Sequence, residues 1–196
     1  MPNQKLIDPS LARHFIHHYQ NLLVQVAKDT DLVNQPEAQQ GAVYLLQAAR
    51  NAVADAPELI DAAQTALQQQ GRPAPPEIMQ AVATLRVDRW VYLRDTTSYS
   101  VLLGVDDQTA AYGVKGLTTP LKELARGEAG AVISCGLLVY QGQVICDGLV
   151  GFIAWIGPNY CREFNALLSE LRATGRFYRD RILPAPKPSA RAAKSS

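Results

Sequence analysis

The sequence is poor in the residue types that build metal sites and disulfide scaffolds. It has three cysteines, Cys135, Cys146 and Cys161, an odd number with no C-x-x-C pair. That argues against a disulfide framework and a zinc knuckle, and it points to a reducing compartment. Its three histidines, His14, His17 and His18, all fall in one short stretch, so no histidine lies near a cysteine in sequence. No apolar run reaches the roughly 20 residues of a membrane span. The most apolar stretch, Val144–Ile156, is shorter and contains Asp147. The opening MPNQKLIDPS has no apolar core of the kind a secretory signal carries. A cytoplasmic protein with no membrane partner is expected. Charge of one sign is missing too: the net charge is +1, which gives no global field to select nucleic acid. Gly113-Val114-Lys115-Gly116 is not a phosphate-binding loop, and G-x-G-x-x-G, G-x-S-x-G, H-E-x-x-H and EF-hand patterns are absent. No cofactor is expected.

What is present is an ordinary globular balance, 47% hydrophobic and 19% charged, which argues against a disordered chain. The first half reads as helical. Asp8-Pro9 forms a cap and a first-turn proline, followed by Leu11, Phe15, Tyr19, Leu22, Leu23 and Val26 on one face. Pro36 opens a second helix, Asp55-Ala56-Pro57 restarts the chain into a third that stops at Gly71, and a short helix covers about 76–85. Composition then shifts to β-branched and aromatic residues. Strands are expected at 89–94, 99–105 and 109–115, a short helix from Pro120, and a long hairpin of 131–140 and 143–156 about Gln141-Gly142. Gly136, Gly148 and Gly151 inside those strands suggest bulges and a curved sheet. Pro158 starts a final helix ending at Gly175. The expected fold class is α+β. An N-terminal helical bundle (1–85) precedes a small, curved, mainly antiparallel sheet or partial barrel with a closing C-terminal helix (86–182), then a disordered basic tail (183–196).

The runs GVKGLTTPLKEL, ISCGLLVYQGQVICDGL and IGPN resemble a pattern of uncharacterised bacterial proteins, over roughly residues 85–180. The resemblance implies a shared fold and carries no activity.

Four groups are candidates for chemistry. Asp147 interrupts an apolar strand, and a lone buried carboxylate is costly. It is either a general base with a raised pKa or a bulge residue that bonds backbone N–H groups or pairs with Arg89 or Arg94. His14 and His18, one helical turn apart, are metal candidates, but the apolar pattern places them with His17 on a solvated face. Two cysteines read as small core hydrophobes, and Cys161 lies in the first turn of the last helix. Arg172, Arg176, Phe177, Tyr178, Arg179 and Arg181, extended by Lys187, Arg191 and Lys194, form a basic–aromatic cluster that suits nucleic acid. Its alternative is an exposed helix end whose arginines complement the helix dipole. Charge supports the cluster: residues 1–85 are net −3, 86–157 net −1 and 158–196 net +5.

No complete catalytic set emerges. The leading expectation is therefore a non-enzymatic binding or accessory protein of the bacterial cytoplasm acting through another protein. A nucleic-acid-binding accessory using the basic C-terminal end is the second reading. A small hydrolase or transferase centred on Asp147 is the third.

Overall fold

The computed structural model describes residues 4–184. The Asp8 carboxylate accepts from the N–H groups of Ser10 at 2.8 Å and Leu11 at 3.3 Å, starting α1 (Pro9–Asp29) with proline in its first turn. Phe15, Tyr19, Leu22, Leu23 and Val26 of α1 are buried against α3 (Ala42–Asp55) and α4 (Glu58–Gln69), with α5 (Pro76–Val82) alongside. The helix expected from Pro36 is a single turn, α2 (Pro36–Gln39), separated from α3 by Gln40 and Gly41.

The second half is a curled, mainly antiparallel half-barrel, so the α+β class holds. Its elements are β1 (Arg86–Asp95), β2 (Ser100–Gly104), β3 (Ala111–Val114), α6 (Leu121–Leu124), β4 (Ala131–Tyr140), β5 (Gln143–Cys146), β6 (Gly151–Trp155), α7 (Pro158–Ala173) and β7 (Phe177–Tyr178). The strand order is β5-β4-β1-β2-β3-β7, with β6 also on β4; β7 runs parallel to β3, and a parallel bridge joins Lys115 to Ile145 of β5. The two ends of the sheet meet at one rim. The Lys115 N–H donates to Val144 O at 2.9 Å, Cys146 N–H donates to Lys115 O at 2.9 Å, and Val144 N–H donates to Arg179 O at 2.7 Å.

The long hairpin turns where expected. Gln141 and Gly142 have φ of 51° and 69°, the two positive values that a tight two-residue turn needs. Its second strand is not continuous, however. Leu137 pairs with Cys146 and Ser134 with Gly151, so two residues of β4 face four on the other strand, Asp147 to Val150. This wide bulge splits the expected 143–156 strand into β5 and β6.

Three apolar cores result. Alternate residues Ala131, Ile133, Cys135 and Leu137 of β4 join Trp90, Tyr92, Leu102, Tyr112 and Val144 inside the curl. The outer face is covered by two separate helical layers. Leu138, Tyr140, Ile145 and Leu149 pack under the N-terminal helices. Val91, Leu93, Val101, Leu103 and Val132 pack under Phe164, Leu168 and Leu171 of α7. The chain then returns past the inner core, where Leu183 N–H donates to the Tyr112 hydroxyl at 3.2 Å and Leu183 O accepts from Arg86 at 3.2 Å. Lys187, Arg191 and Lys194 of the expected tail lie outside the described residues.

Candidate functional site

Asp147 begins the bulge, and its surroundings are closed. Gly136 opposite leaves the space: a Cβ there would lie 2.5 Å from the Asp147 Oδ2 atom. The carboxylate has no exposed surface, and Arg50 of α3 is nearly as buried. Arg50 donates to Asp147 Oδ2 at 3.2 Å and to Leu149 O at 2.6 Å, while Leu149 N–H donates to Asp147 Oδ1 at 3.0 Å. The partner of Asp147 is therefore Arg50, neither Arg89 nor Arg94. Arg89 grips Asp106 on the surface at 2.7 to 3.1 Å, and Arg94 donates to Asn165 at 2.8 Å. Burial pushes the Asp147 carboxyl above its ordinary pKa, opposed by the Arg50 charge. Beside it the buried Tyr19 hydroxyl has no hydrogen-bond partner among the described residues, and burial raises its pKa strongly. A cavity of about 190 Å³ runs past Gln20, Thr118, Thr119, Cys146 and Asp147. Only main-chain surface of Asp147 faces outward, because its side chain is wholly covered while the residue retains 5% exposure.

Two of the cysteines pack in the inner core. Cys135 and Cys146 are fully buried in the inner core, and contact with Cys146 together with burial raises the Cys135 thiol well above its ordinary pKa. Cys161 is half-buried. His17 is exposed, and His14 and His18 are partly covered where α5 lies against that side of α1; the His14 side chain keeps 39% exposure and meets Glu77 at 3.1 Å. Burial lowers the pKa of His18. Among the described residues, no group of three or more His, Cys, Asp or Glu is arranged to hold a metal ion.

The basic–aromatic cluster does not sit on a bare helix end. Phe177 and Tyr178 form β7, paired with Ala111 and Tyr112 of β3. Their side chains part to opposite faces: Tyr178 lies 6.3 Å from the ring of inner-core Tyr112, and Phe177 lies 5.7 Å from Tyr99 on the other side. The Arg172 guanidinium stacks on Phe177 at 4.8 Å and that of Arg179 on Tyr99 at 5.6 Å. Next to this stack is a groove of about 490 Å³, lined by Tyr99, Lys115, Gln143, Phe177, Arg179 and Asp180 among others. Arg176 and Arg181 turn to Thr174 and Asp180 instead.

At the opposite end of α7 the surface is apolar. Ile153 (48% exposed) and Trp155 (43%) of β6 and Tyr160 (61%) of α7 are exposed, as are Val43 (55%) and Tyr44 (51%) of α3. Of these only Tyr160 lines a cavity of about 590 Å³, together with Val105, Ile156, Phe164 and Leu167 and with Glu163 and Glu170; Trp155 lies 5.1 Å from the Phe152 ring, on the strand that leads into the cavity. The strand β6 pairs only with β4, which leaves its other edge without a strand neighbour among the described residues.

The sequence reading missed Arg50, Glu77, Tyr99 and Lys115. Arg50 had a usable signal: Leu46, Ala49, Arg50 and Val53 share the buried face of α3, and an arginine at a core position of an alanine-rich helix calls for a buried acid. Comparison of the chain with models of known protein families, with curated proteins and with solved structures finds no match.

Proposed function

We propose that the protein is a non-enzymatic binding or accessory protein of the bacterial cytoplasm, acting through protein–protein contact at the β6–α7 surface. The observation that carries this reading is the largely exposed Tyr160 on an apolar cavity lined by Val105, Ile156, Phe164 and Leu167, at the end of a strand, β6, that exposes Ile153 and Trp155 and has an open edge among the described residues. Exposed apolar groups gathered in one place mark interaction surfaces, and aromatic anchors beside a pocket are the usual centre of a protein contact. The rim sets the partner's chemistry. Neither Glu163 nor Glu170 has an ion-pair partner among the described residues, so the fitting segment carries apolar anchors next to lysine or arginine. The reading of Asp147 as a general base loses support, because its carboxylate is covered and held by Arg50 and the Leu149 N–H.

Affinity capture from the native host tests the proposal, with the wild-type protein and a Trp155→Ser/Tyr160→Ser variant as paired baits. Both should have the same circular dichroism spectrum and melting temperature. A protein retained by the wild type and lost by the variant is the expected result. Equal capture by both, or no specific capture at all, sinks it.

A further inference from the structure

We infer that the groove between β3, β5 and β7 is a binding site for a nucleotide unit. Its phosphate would lie on Lys115 and Arg179 and its base against the Tyr99–Phe177 pair. The site is separate from the β6–α7 surface and stands without it. β6 pairs with the Ala131–Ser134 end of β4, whereas the groove adjoins Gln143 and Val144 at the Tyr140 end.

Four observations converge. The first is positive charge that no ion pair takes up, although the Arg179 charge also acts on the neighbouring Asp180 carboxylate. Neither the Lys115 ammonium nor the Arg179 guanidinium has an ion pair or a side-chain hydrogen bond among the described residues, although both line the same concavity. The second is fixation. Lys115 sits where the two ends of the sheet meet, its main chain bonded on both sides to β5, and Arg179 is held there by its carbonyl on Val144 N–H. The guanidinium is stacked on Tyr99, which sets its plane and leaves its N–H groups for a ligand. Phosphate oxygens are the acceptors that suit such a pair. The third is the aromatic surface, Tyr99 against Phe177, of the kind on which bases stack in single-stranded nucleic acid sites. The fourth is room. Gly113 lies beneath, and a Cβ there would come within 2.8 Å of Arg179 Cγ, 3.0 Å of Tyr99 and 3.1 Å of Phe177. Glycine at this point lets the three side chains lie flat on β3 and leaves a groove of about 490 Å³, within the range of small-ligand sites. The carboxylate of Asp180 also lines the groove, but it is turned to Arg181 at 3.4 Å.

The test uses the full chain and fluorescence anisotropy with a labelled twelve-residue oligothymidylate at low salt, and unlabelled thymidine monophosphate and inorganic phosphate as competitors. Four variants accompany it. These are Lys115→Gln, Arg179→Gln and Phe177→Leu, together with Lys187→Ala/Arg191→Ala/Lys194→Ala as a control for the tail. The expected result is salt-sensitive binding that the tail variant keeps. Lys115→Gln and Arg179→Gln should each weaken it about fivefold or more and flatten the slope of log K against log salt by about 0.7 for each phosphate no longer neutralised. Phe177→Leu should weaken oligonucleotide binding about fivefold or more without changing competition by inorganic phosphate. Competition by thymidine monophosphate at a concentration close to that of the oligonucleotide supports a site for one nucleotide. A much weaker monophosphate supports a groove that follows a strand. The inference is overturned if the intact protein shows no salt-sensitive binding, or if binding survives both groove cation variants and is lost in the tail variant. It is also overturned if inorganic phosphate competes as well as the monophosphate and Phe177→Leu changes nothing.

Discussion

The outer face of the curled sheet is covered twice, and the two coverings are made differently. Under α7 the buried contact is apolar: Phe164, Leu168 and Leu171 sit on Val91, Val101, Leu103 and Val132, and the hydrogen bond from Arg94 to Asn165 is exposed. Under the N-terminal helices an apolar contact of the same kind surrounds a buried ion pair, Arg50 with Asp147, joining residues 97 apart in the chain. Apolar packing is non-directional and tolerates sliding, whereas an arginine that must meet both a carboxylate and the Leu149 carbonyl fixes one position of α3 on the sheet. The seam that joins the two halves is the one that carries the buried directional contact. The α7 seam lies within the sheet unit, where short connections already limit the alternatives.

The largest effect is expected from breaking the ion pair on one side. Arg50→Ala leaves a carboxylate without exposed surface and a buried Leu149 carbonyl unpaired, and should lower unfolding free energy by about 3–5 kcal/mol in urea titration. Replacing both partners, as Arg50→Met/Asp147→Asn, should recover at least half of that loss, because no buried charge remains and the introduced amide oxygen can still accept from Leu149 N–H. If the double variant is no better than Arg50→Ala, the pair contributes stability rather than position, and the contrast between the seams is wrong.

Leu168→Ala probes the other seam. Leu168 is fully buried, and its truncation should cost about 2–4 kcal/mol through lost burial and the cavity left behind. The two losses overlap in size but should differ with pH. The Asp147 carboxyl is raised above 3.8 in the folded protein. In the interval from 3.8 up to its folded pKa, the folded state holds more protons at this group than the unfolded chain does. Its contribution to stability is therefore complete below that interval and declines as pH rises through it. The advantage of the wild type over Asp147→Asn should shrink as pH is raised across the interval in a series of urea titrations, while the Leu168→Ala difference stays level. An advantage that grows with rising pH would reverse the assignment.

These seams also show how far the sequence could be read. The strands and the α7 stripe were legible because β-branched and aromatic composition and the spacing of Phe164, Leu168 and Leu171 are local signals. The break between β5 and β6 was half legible. Asp147-Gly148 marked a bulge, but its width depends on four residues finding room opposite Cys135 and Gly136. The identity of the partner was not legible. Arg50 reaches Asp147 only because α3 lies across the bulge, a packing fact with no local trace, and nearer arginines in the same unit drew the assignment instead. The groove shows the same division. Phe177 and Arg179 stood out as a cluster, while Tyr99 and Lys115 joined them only once the sheet curled and β7 paired with β3.

The smallest effect should come from the ion pair with the better geometry. Arg89 grips Asp106 with two nitrogens at 2.7 to 3.1 Å, against the single 3.2 Å contact of Arg50 with Asp147. Judged by contact distance alone, Arg89 would matter more. Its side chain is 55% exposed and that of Asp106 59%, however, so water solvates both charges once the pair is broken and salt screens them while it is made. Arg89→Ala should cost no more than about 1 kcal/mol in low-salt urea titration, and most of that should vanish in about 0.5 M sodium chloride, where screening reaches only a few ångströms. Arg50→Ala should keep nearly its whole loss in the same salt, because the ions do not reach the seam. Equal losses for the two variants would mean that contact geometry outweighs burial in this fold.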